Sequence, residues 1–200
     1  MTQLLHTGRL VLTPKNPYQL PENPEAIFSR LQEIGLIDTP LQTGHSYLPG
    51  EAFMQLITFM GCSPSIRLAP DDSDQPFCHL LLDGPYPRPK LIVGKNTLPP
   101  RCERCRKRLG DWQNTFKIWE AKGDGWQSEC PHCGHLQDPA TYDFKQSAGC
   151  GRFLLYLENI FPQEAIPAQS LLDSLKHSSK EEIWHFFYHQ ELVKTGFTKP

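Results

Sequence analysis

Two segments in the first 61 residues have apolar positions at helical spacing. In the first, Asn23 can cap a helix, Pro24 suits its first turn, and Gly35 can end it. The side chains predicted to share the inner face of this helix are Ile27, Leu31 and Ile34. The second segment predicts a helix that begins at about Gly50 and ends at Gly61. Its apolar stripe is formed by Phe53, Ile57 and Met60. Both stripes are predicted to pack into the core.

Short apolar runs elsewhere predict strands. Within residues 1–22, which prolines interrupt, the run LVLTP predicts an extended arm or an edge strand. FCHLLL (77–82) and PKLIVGK (89–95) predict two strands joined by the turn DGPYPR. GRFLLYLENIF (151–161) predicts a third strand.

The carboxyl-terminal region predicts one short helix and one further strand. PQEAIPAQSLLDSLKH predicts a loop followed by a short helix. The side chains predicted inside that helix are Leu171, Leu172 and Leu175. The run IWHFFYH is short and rich in aromatic residues, which favours a buried strand. A capping box formed by Ser179 and Glu182, with Gly196 as a stop, would also suit a helix.

The order of these elements predicts an α+β fold. Two helices and two strands precede a segment with four cysteines, and a strand, a helix and a strand follow it. Such an order suits a mostly antiparallel sheet covered by helices on one face. PPRC and QDPATYDFKQSAG border the cysteine segment and have the composition of linkers. We therefore predict a core domain made of residues 1–97 and 141–200, and an inserted module of residues 98–140, here called the cysteine module.

The composition fits one ordinary domain with a small insertion. The chain has 200 residues, of which 38% are hydrophobic, and this is enough for a core. A formal net charge of −2 argues against a protein whose whole surface binds nucleic acid, but it allows a local basic patch. The sequence contains no run of about 18 apolar residues, so no membrane span is predicted. The segment MTQLLHTGRLVLTPKNPY lacks the pattern of a signal peptide. Seven cysteines, four of them in metal-like spacing, favour a reducing compartment, so we predict a cytoplasmic protein.

Two Cys-x-x-Cys pairs form the most specific motif in the chain. The four predicted metal ligands are Cys102, Cys105, Cys130 and Cys133. A Cys-x-x-Cys turn places two thiolates on one side, and two such turns facing each other complete a tetrahedral site. Pro131 presets the second turn, and Gly134 can adopt the positive φ that follows the second ligand.

These features resemble the zinc-ribbon group over about residues 98–137. The second turn is of the CPxCG type, and NTFKIWEA and GWQSE have strand composition on either side of KGDG, a hairpin signal. The resemblance implies a β-hairpin between the two turns and a structural Zn²⁺ held by the four cysteines. It does not extend to the rest of the chain.

Two other uses of the thiols fit the sequence less well. CPHC also resembles the active-site dithiol of thiol oxidases, but those thiols precede a helix, and Gly134 with HLQDPAT predicts none. A catalytic metal site keeps one position open for water, whereas four thiolates close it. An open position would require His132 or His135 to replace a cysteine. The simplest expectation for these histidines is exposure or a hydrogen bond near a sulfur, and we predict no catalytic residue.

The remaining candidate groups are expected to be structural. Cys62, Cys78 and Cys150 are predicted to be buried, inert thiols, since no spacing supports pairing Cys150 with His79 or His185 as a nucleophile and base. The acidic loop SPSIRLAPDDSDQP lacks the ordered spacing of a calcium loop and is predicted to be a solvated turn. Its carboxylates are Asp71, Asp72 and Asp74.

Basic and aromatic residues in the cysteine module suggest a binding role. The basic residues around the first pair are Arg101, Arg104, Arg106, Lys107 and Arg108, and the aromatic residues that follow are Trp112, Phe116, Trp119 and Trp126. Such side chains on a rigid hairpin can hold phosphates and stack bases. They can equally serve solubility, with the tryptophans packed against the main sheet. We predict a non-catalytic binding or adaptor module that contacts nucleic acid or a partner protein. The alternative is an enzyme or small-molecule-binding domain in which the module is a structural arm or lid.

Overall fold

A six-stranded sheet forms the centre of the molecule in the computed structural model, which describes residues 8–20, 23–41, 45–60, 66–71, 75–160, 163–176 and 183–191. The strands are, in chain order, β1 (Gly8–Pro14), β2 (Ile37–Pro40), β3 (Ser46–Pro49), β4 (Ile57–Phe59), β5 (His79–Asp83), β6 (Lys90–Val93), β7 (Ser128–Glu129), β8 (Leu136–Gln137), β9 (Ala148–Gly151), β10 (Leu154–Ile160), β11 (Ala165–Pro167) and β12 (Trp184–Gln190). The helices are α1 (Pro24–Glu33), α2 (Phe53–Leu56), α3 (Trp112–Lys122) and α4 (Gln169–Ser174).

The strand order in the large sheet is β12-β1-β10-β5-β3-β2, and every neighbouring pair is antiparallel. This confirms the predicted combination of helices with a mostly antiparallel sheet. The edge-strand prediction within residues 1–22 is wrong, because β1 lies inside the sheet. Val11 stands opposite Phe187 of β12 on one side and Tyr156 of β10 on the other. Three consecutive residues of β1 are fully buried, namely Leu10, Val11 and Leu12.

One face of the sheet packs against the helices. Leu12 of β1 and Leu155 of β10 share a buried cluster with Leu31 of α1, Phe53 of α2 and Leu171 of α4. Full burial of each of these side chains contributes about 1.5–3 kcal/mol. This cluster is the main core. None of the helices in the described part of the chain is long and apolar enough to cross a membrane.

Helix α1 begins and ends as the sequence predicts. The side-chain oxygen of Asn23 accepts a hydrogen bond from the N–H of Glu25 at 2.9 Å. Gly35 follows the helix with a φ of 70°, a conformation that glycine adopts without strain. Ile27 and Leu31 are buried on the inner face of this helix.

The predicted second helix is wrong beyond its first turn. After α2 the chain continues as β4, where Thr58 pairs with Ile166 of β11. The β-branched neighbours Ile57 and Thr58 favour a strand, and pairing with a distant segment decides in its favour. Met60, predicted on the buried stripe, is 63% exposed. Gly61 lies outside the described residues.

The four predicted strands beyond residue 70 are confirmed as β5, β6, β10 and β12. β5 and β6 do not pair with each other, because β5 lies between β3 and β10 whereas β6 pairs with β9 in a separate two-stranded sheet. The short helix α4 is also confirmed, with Leu171 and Leu175 buried and Leu172 half-buried. The alternative of a helix near the carboxyl end involved Ser179, Glu182 and Gly196, which lie outside the described residues.

The opposite face of the sheet is covered by β6 and β9. Ile92 of β6 packs with Val11, Leu154 and Phe187 in a small buried cluster. Gly149 of β9 lies directly against β12, since a Cβ at this position would stand 2.5 Å from the Phe187 ring. This close approach requires glycine.

The segment between the two cysteine pairs contains helix α3, so the predicted hairpin is wrong. Trp112, Phe116 and Trp119 recur at helical spacing and form the buried face of α3. Gly123 ends the helix with a φ of 94°, so KGDG terminates a helix instead of turning a hairpin. These side chains form a second buried cluster with Phe144, separate from the main core. The boundaries of the two predicted domains, 1–97 plus 141–200 and 98–140, stay a prediction.

Candidate metal centre

The first cysteine pair lies in a tight turn, residues 101–108, here called the first knuckle. The N–H of Cys102 donates to the carbonyl of Lys107 at 3.0 Å, and the N–H of Arg106 donates to the carbonyl of Cys102 at 2.9 Å. Arg106 adopts a φ of 62°. The two bonds turn the chain sharply enough to direct both thiols of the pair to the same side.

The second cysteine pair lies in an equivalent turn, residues 128–137, here called the second knuckle. The N–H of Cys130 donates to the carbonyl of His135 at 2.8 Å, and the N–H of Gly134 donates to the carbonyl of Cys130 at 2.9 Å. β7 and β8 extend this turn as an antiparallel pair. The positive φ predicted for Gly134 is present, at 69°.

The two knuckles bring the four sulfurs together. The Sγ of Cys102 lies 3.7 Å from that of Cys133, and the Sγ of Cys105 lies 3.8 Å from that of Cys130. All four sulfurs lie within 4.8 Å of one another. A tetrahedral zinc site with Zn–S distances of about 2.3 Å needs sulfurs about 3.8 Å apart. The cluster therefore has the spacing of a four-thiolate metal site, and each of the four cysteines is free of a disulfide.

Backbone N–H groups around Cys102 favour the thiolate form of this cysteine. Burial opposes ionisation of Cys102, but hydrogen bonds from the backbone N–H groups of Cys105 and Arg104 and from the neighbouring thiols lower its pKa to about 6. The backbone N–H of His135 acts to lower the pKa of Cys133, yet burial and the other thiols raise it to about 11. Without a cation the cluster thus favours the thiolate at Cys102 and the protonated thiol at Cys133, because like charges so close repel.

Two histidines connect the knuckles. The Nε2 of His132 donates to the carbonyl of Arg108 at 3.1 Å, and the Nε2 of His135 donates to the Glu103 carboxylate at 2.6 Å. Both histidines belong to the second knuckle, and both partners belong to the first. These hydrogen bonds hold the two turns in register. The group of side chains that could hold an ion consists of the four cysteines and includes neither histidine.

The redox alternative lacks its structural requirement. A thiol oxidase places its reactive dithiol at the amino terminus of a helix. Here Cys133 is followed by Gly134 and then by β8, so no helix begins at CPHC. The four thiols remain candidates for holding a metal ion.

The basic residues of the first knuckle divide into two groups. Arg106 is engaged, because its Nη2 lies 2.7 Å from the Asp143 carboxylate. Arg101 is also engaged, since its Nη1 donates to the carbonyl of Arg106 at 3.1 Å. The side chains exposed without an acidic partner in the described chain are Arg104, Lys107 and Arg108.

Three of the four aromatic residues named in the module are buried and not available for stacking on a ligand. Trp112 is 7% exposed, Phe116 3% and Trp119 2%. Their rings contact one another and Phe144 at edge-on or tilted angles. Trp126 is half-buried against the same cluster. The tryptophans therefore stabilise the module's own core, and they do not pack in the main core beneath the large sheet.

The remaining cysteines and the acidic loop can be compared with their predicted structural roles where they lie in the described residues. Burial raises the pKa of Cys78 to about 12 and also raises the pKa of Cys150, so both thiols stay protonated. His185 and Cys150 face the same groove, but no hydrogen bond between them is present in the described residues, and His79 hydrogen-bonds the Phe77 carbonyl instead. Asp71 forms an ion pair with Arg67. The positions outside the described residues are Cys62, Asp72 and Asp74.

Two residues that sequence reasoning missed hold the knuckles in place. Gln137 is buried, and its Oε1 accepts a hydrogen bond from the N–H of Glu103 at 3.1 Å. Asp143 pairs with Arg106, and its carbonyl accepts the N–H of Arg101 at 2.9 Å. No local signal marks these residues, because both act on a segment more than 30 positions away.

Comparison with protein-family models, with curated protein sequences and with solved structures finds no match to this chain.

Proposed function

We propose that this chain is a zinc-binding protein whose four clustered cysteines hold one structural Zn²⁺. The ligands in this proposal are Cys102, Cys105, Cys130 and Cys133. The supporting observation is the spacing of their sulfurs, which all lie within 4.8 Å of one another. The two distances of 3.7 and 3.8 Å match the edge of a zinc–sulfur tetrahedron. Four soft sulfur ligands suit zinc, and a divalent cation relieves the repulsion among thiolates. A closed shell of four thiolates leaves no position for water, which favours a structural ion over a catalytic one.

The role of the ion would be to fix the two knuckles against each other. The second buried cluster is small, and short elements such as β7 and β8 bury little surface of their own. Structural zinc contributes about 10–16 kcal/mol in small zinc-dependent modules. Metal binding can therefore supply stability that this part of the chain lacks.

Metal content of two variants tests the zinc site. Wild-type protein purified without added chelator should contain one zinc per chain by plasma mass spectrometry, and Cys102→Ser should lose it. Cys78→Ala is the matched control, because Cys78 is a buried thiol in the main core and should leave zinc content unchanged. Cobalt replacement adds a second readout, since a four-thiolate Co²⁺ site gives sulfur-to-metal charge-transfer bands. Wild-type protein without metal, or Cys102→Ser with full metal, would contradict the proposal.

We further propose that the first knuckle binds the phosphate backbone of nucleic acid. The supporting observation is the exposure of three cations on one rigid turn, without acidic partners in the described residues, at Arg104, Lys107 and Arg108. Because Trp112 and Trp119 are buried and Trp126 is half-buried, the contact would be mainly electrostatic and independent of base sequence. The protein would act by binding, as a non-catalytic adaptor in the cytoplasm.

A salt titration tests this contact. A triple variant with Arg104, Lys107 and Arg108 changed to Gln should weaken binding to a fluorescein-labelled oligo-dT, followed by anisotropy. Removing three phosphate contacts should make the slope of log affinity against log salt shallower by about 2. A control triple variant of exposed lysines outside the knuckles has the same charge change, namely Lys95→Gln, Lys117→Gln and Lys122→Gln.

The two triple variants separate a local contact from an effect of net charge. If both weaken oligo-dT binding equally, or if wild type does not bind oligo-dT at about 50 mM salt, the nucleic-acid proposal is wrong. Recovery of a protein partner that depends on the knuckle cations, with no nucleic acid, would favour the partner-protein alternative instead.

A further inference from the structure

A groove of about 870 Å³ lies between β12 and the segment that follows the second knuckle. Its walls come from four parts of the chain, namely residues 15–19 after β1, Glu103 of the first knuckle, residues 140–150, and Ile183 with the first half of β12. It therefore lies where the cysteine module meets the large sheet. Its volume is within the range of about 300–1,000 Å³ that is typical of small-molecule sites.

The groove contains a positive charge that nothing in the described chain neutralises. Lys15 lines the groove, is exposed, and makes no ion pair with any acid in the described residues. The two acids at the groove are already paired, Glu103 with His135 and Asp143 with Arg106 and Lys145. Lys15 is thus the cation at the groove that has no acidic partner among the described residues, and together with Arg106 the charged side chains at the groove have a formal net charge of +1.

A second polar group in the groove lacks a partner. His185 of β12 lines the groove, and its Nε2 is buried without a hydrogen-bond partner among the described residues. Burial, followed by the charge of Lys15, lowers the pKa of His185 to about 4, so its imidazole is neutral at pH 7. A buried polar atom without a partner is destabilising, and a ligand or an ordered water would supply the missing hydrogen bond.

The walls also contain several aromatic side chains. Phe144, Phe186 and Phe187 line the groove, and Phe186 is half-buried. Aromatic walls favour a flat apolar body, which can pack face to edge against the rings. The groove thus combines aromatic surface with a cation, Lys15, that has no acidic partner among the described residues.

We propose that this groove binds a small organic anion with a flat apolar body and one negatively charged group, of the aromatic carboxylate or sulfonate class. The anionic group lies at Lys15, and the apolar body packs against the phenylalanines. A small ligand fits better than a polyanion, because one cation in a concave site matches one charge. Binding fits better than reaction, since the Cys150 thiol in the groove is buried and stays protonated.

Two matched fluorescent probes test the proposal with the zinc-loaded full chain. 1-Anilinonaphthalene-8-sulfonate has a flat apolar body with one anionic group, and N-phenyl-1-naphthylamine has the same body without the charge. Wild type should bind both at one site per chain. Lys15→Gln should weaken the sulfonate about fivefold, the size of an exposed ion pair, and should leave the neutral probe within about twofold.

Two further variants locate the site. Lys117→Gln makes the same charge change on α3, away from the groove, and should leave both affinities unchanged. Phe186→Ala should weaken both probes, because it removes part of the shared apolar wall. Equal weakening of the sulfonate by Lys15→Gln and Lys117→Gln, or the absence of saturable binding to wild type, would overturn the proposal. The cations proposed to bind phosphate do not line the groove, so this test and the oligo-dT test can fail separately.

Discussion

At the scale of single residues, the two knuckles have the same backbone conformation at one position but different residues there. The residue four positions after the first cysteine has a positive φ in both, and it is Gly134 in the second knuckle but Arg106 in the first. A non-glycine residue in this conformation costs about 1 kcal/mol or more. The ion pair of Arg106 with Asp143 and the bond from Arg101 to its carbonyl offset this cost. Arg106 therefore has a structural role, and its charge is paired with Asp143 although the side chain is exposed.

His185 should make stability depend on pH. Burial and then Lys15 lower its pKa to about 4, below the ordinary value near 6.5, so the unfolded chain binds a proton at a pH where the folded chain does not. The stability due to the neutral imidazole is fully present above about pH 6.5 and is lost as the pH falls toward 4. Between pH 7 and pH 4.5 the free energy of unfolding should decrease by about 2 kcal/mol from this residue.

Urea unfolding of wild type and His185→Gln at both pH values measures this contribution. Acid also releases metal from cysteine sites, so the informative quantity is the difference between the two proteins at each pH. That difference should change by about 2 kcal/mol in favour of His185→Gln on going to pH 4.5. If the free energy of unfolding decreases equally in the two proteins, the pH dependence does not come from His185.

At the scale of elements, two competing patterns decided whether a segment became helix or strand. In α3, Trp112, Phe116 and Trp119 have helical spacing, and this periodicity prevailed over the β propensity of NTFKIWEA. In β4, Ile57 and Thr58 have β propensity, and this prevailed over a helical stripe that ended at the exposed Met60. In both segments, the secondary structure that formed is the one that buries the apolar side chains.

The cap of α1 gives a prediction at this scale. Asn23→Ala should lower the free energy of unfolding by about 1 kcal/mol, because the N–H of Glu25 loses the side-chain oxygen that it now contacts. Gln32→Ala, an exposed change near the other end of the same helix, should alter stability by less than about 0.5 kcal/mol. Urea unfolding monitored by circular dichroism measures both. Equal effects of the two changes would show that the Asn23 side chain does not act as a cap.

At the scale of the whole molecule, the two largest buried clusters among the described residues have different sources of stability. The main core joins the large sheet to α1, α2 and α4. The second cluster joins α3 to Phe144 and the buried cysteines Cys102 and Cys130. Because the second cluster contains two of the proposed ligands, its stability should depend on the metal far more than that of the main core.

Removal of the metal should therefore loosen one cluster before the other. After zinc is removed with a chelator, hydrogen exchange at the amides of α3 should accelerate at least about tenfold, while the amides of β1 and β10 should keep their protection. Mass spectrometry of peptides from α3 and from β10 measures the two rates in one experiment. Equal acceleration in both would mean that the clusters unfold as one unit.

Much of the architecture could be predicted because its signals are local. The cap and stop of α1 and the short, apolar and aromatic-rich runs of β10 and β12 require no partner to be recognised. The pairing of β4 with β11 and the interior position of β1 could not be predicted, because hydrogen bonds between segments far apart in sequence decide them. Gln137 and Asp143 could not be predicted either, because each contacts the first knuckle, which is distant in sequence.

The sequence by itself determined the four-cysteine motif and the turn chemistry of Gly134, because a Cys-x-x-Cys turn is shaped by its own few residues. Only the tertiary structure decided that the sulfurs of the two pairs meet within 4.8 Å, since a helix of 11 residues lies between them and its position follows from packing. It also decided which cations stay exposed and which aromatic residues are buried. Exposure is a property of the folded surface, and no single residue or spacing specifies it.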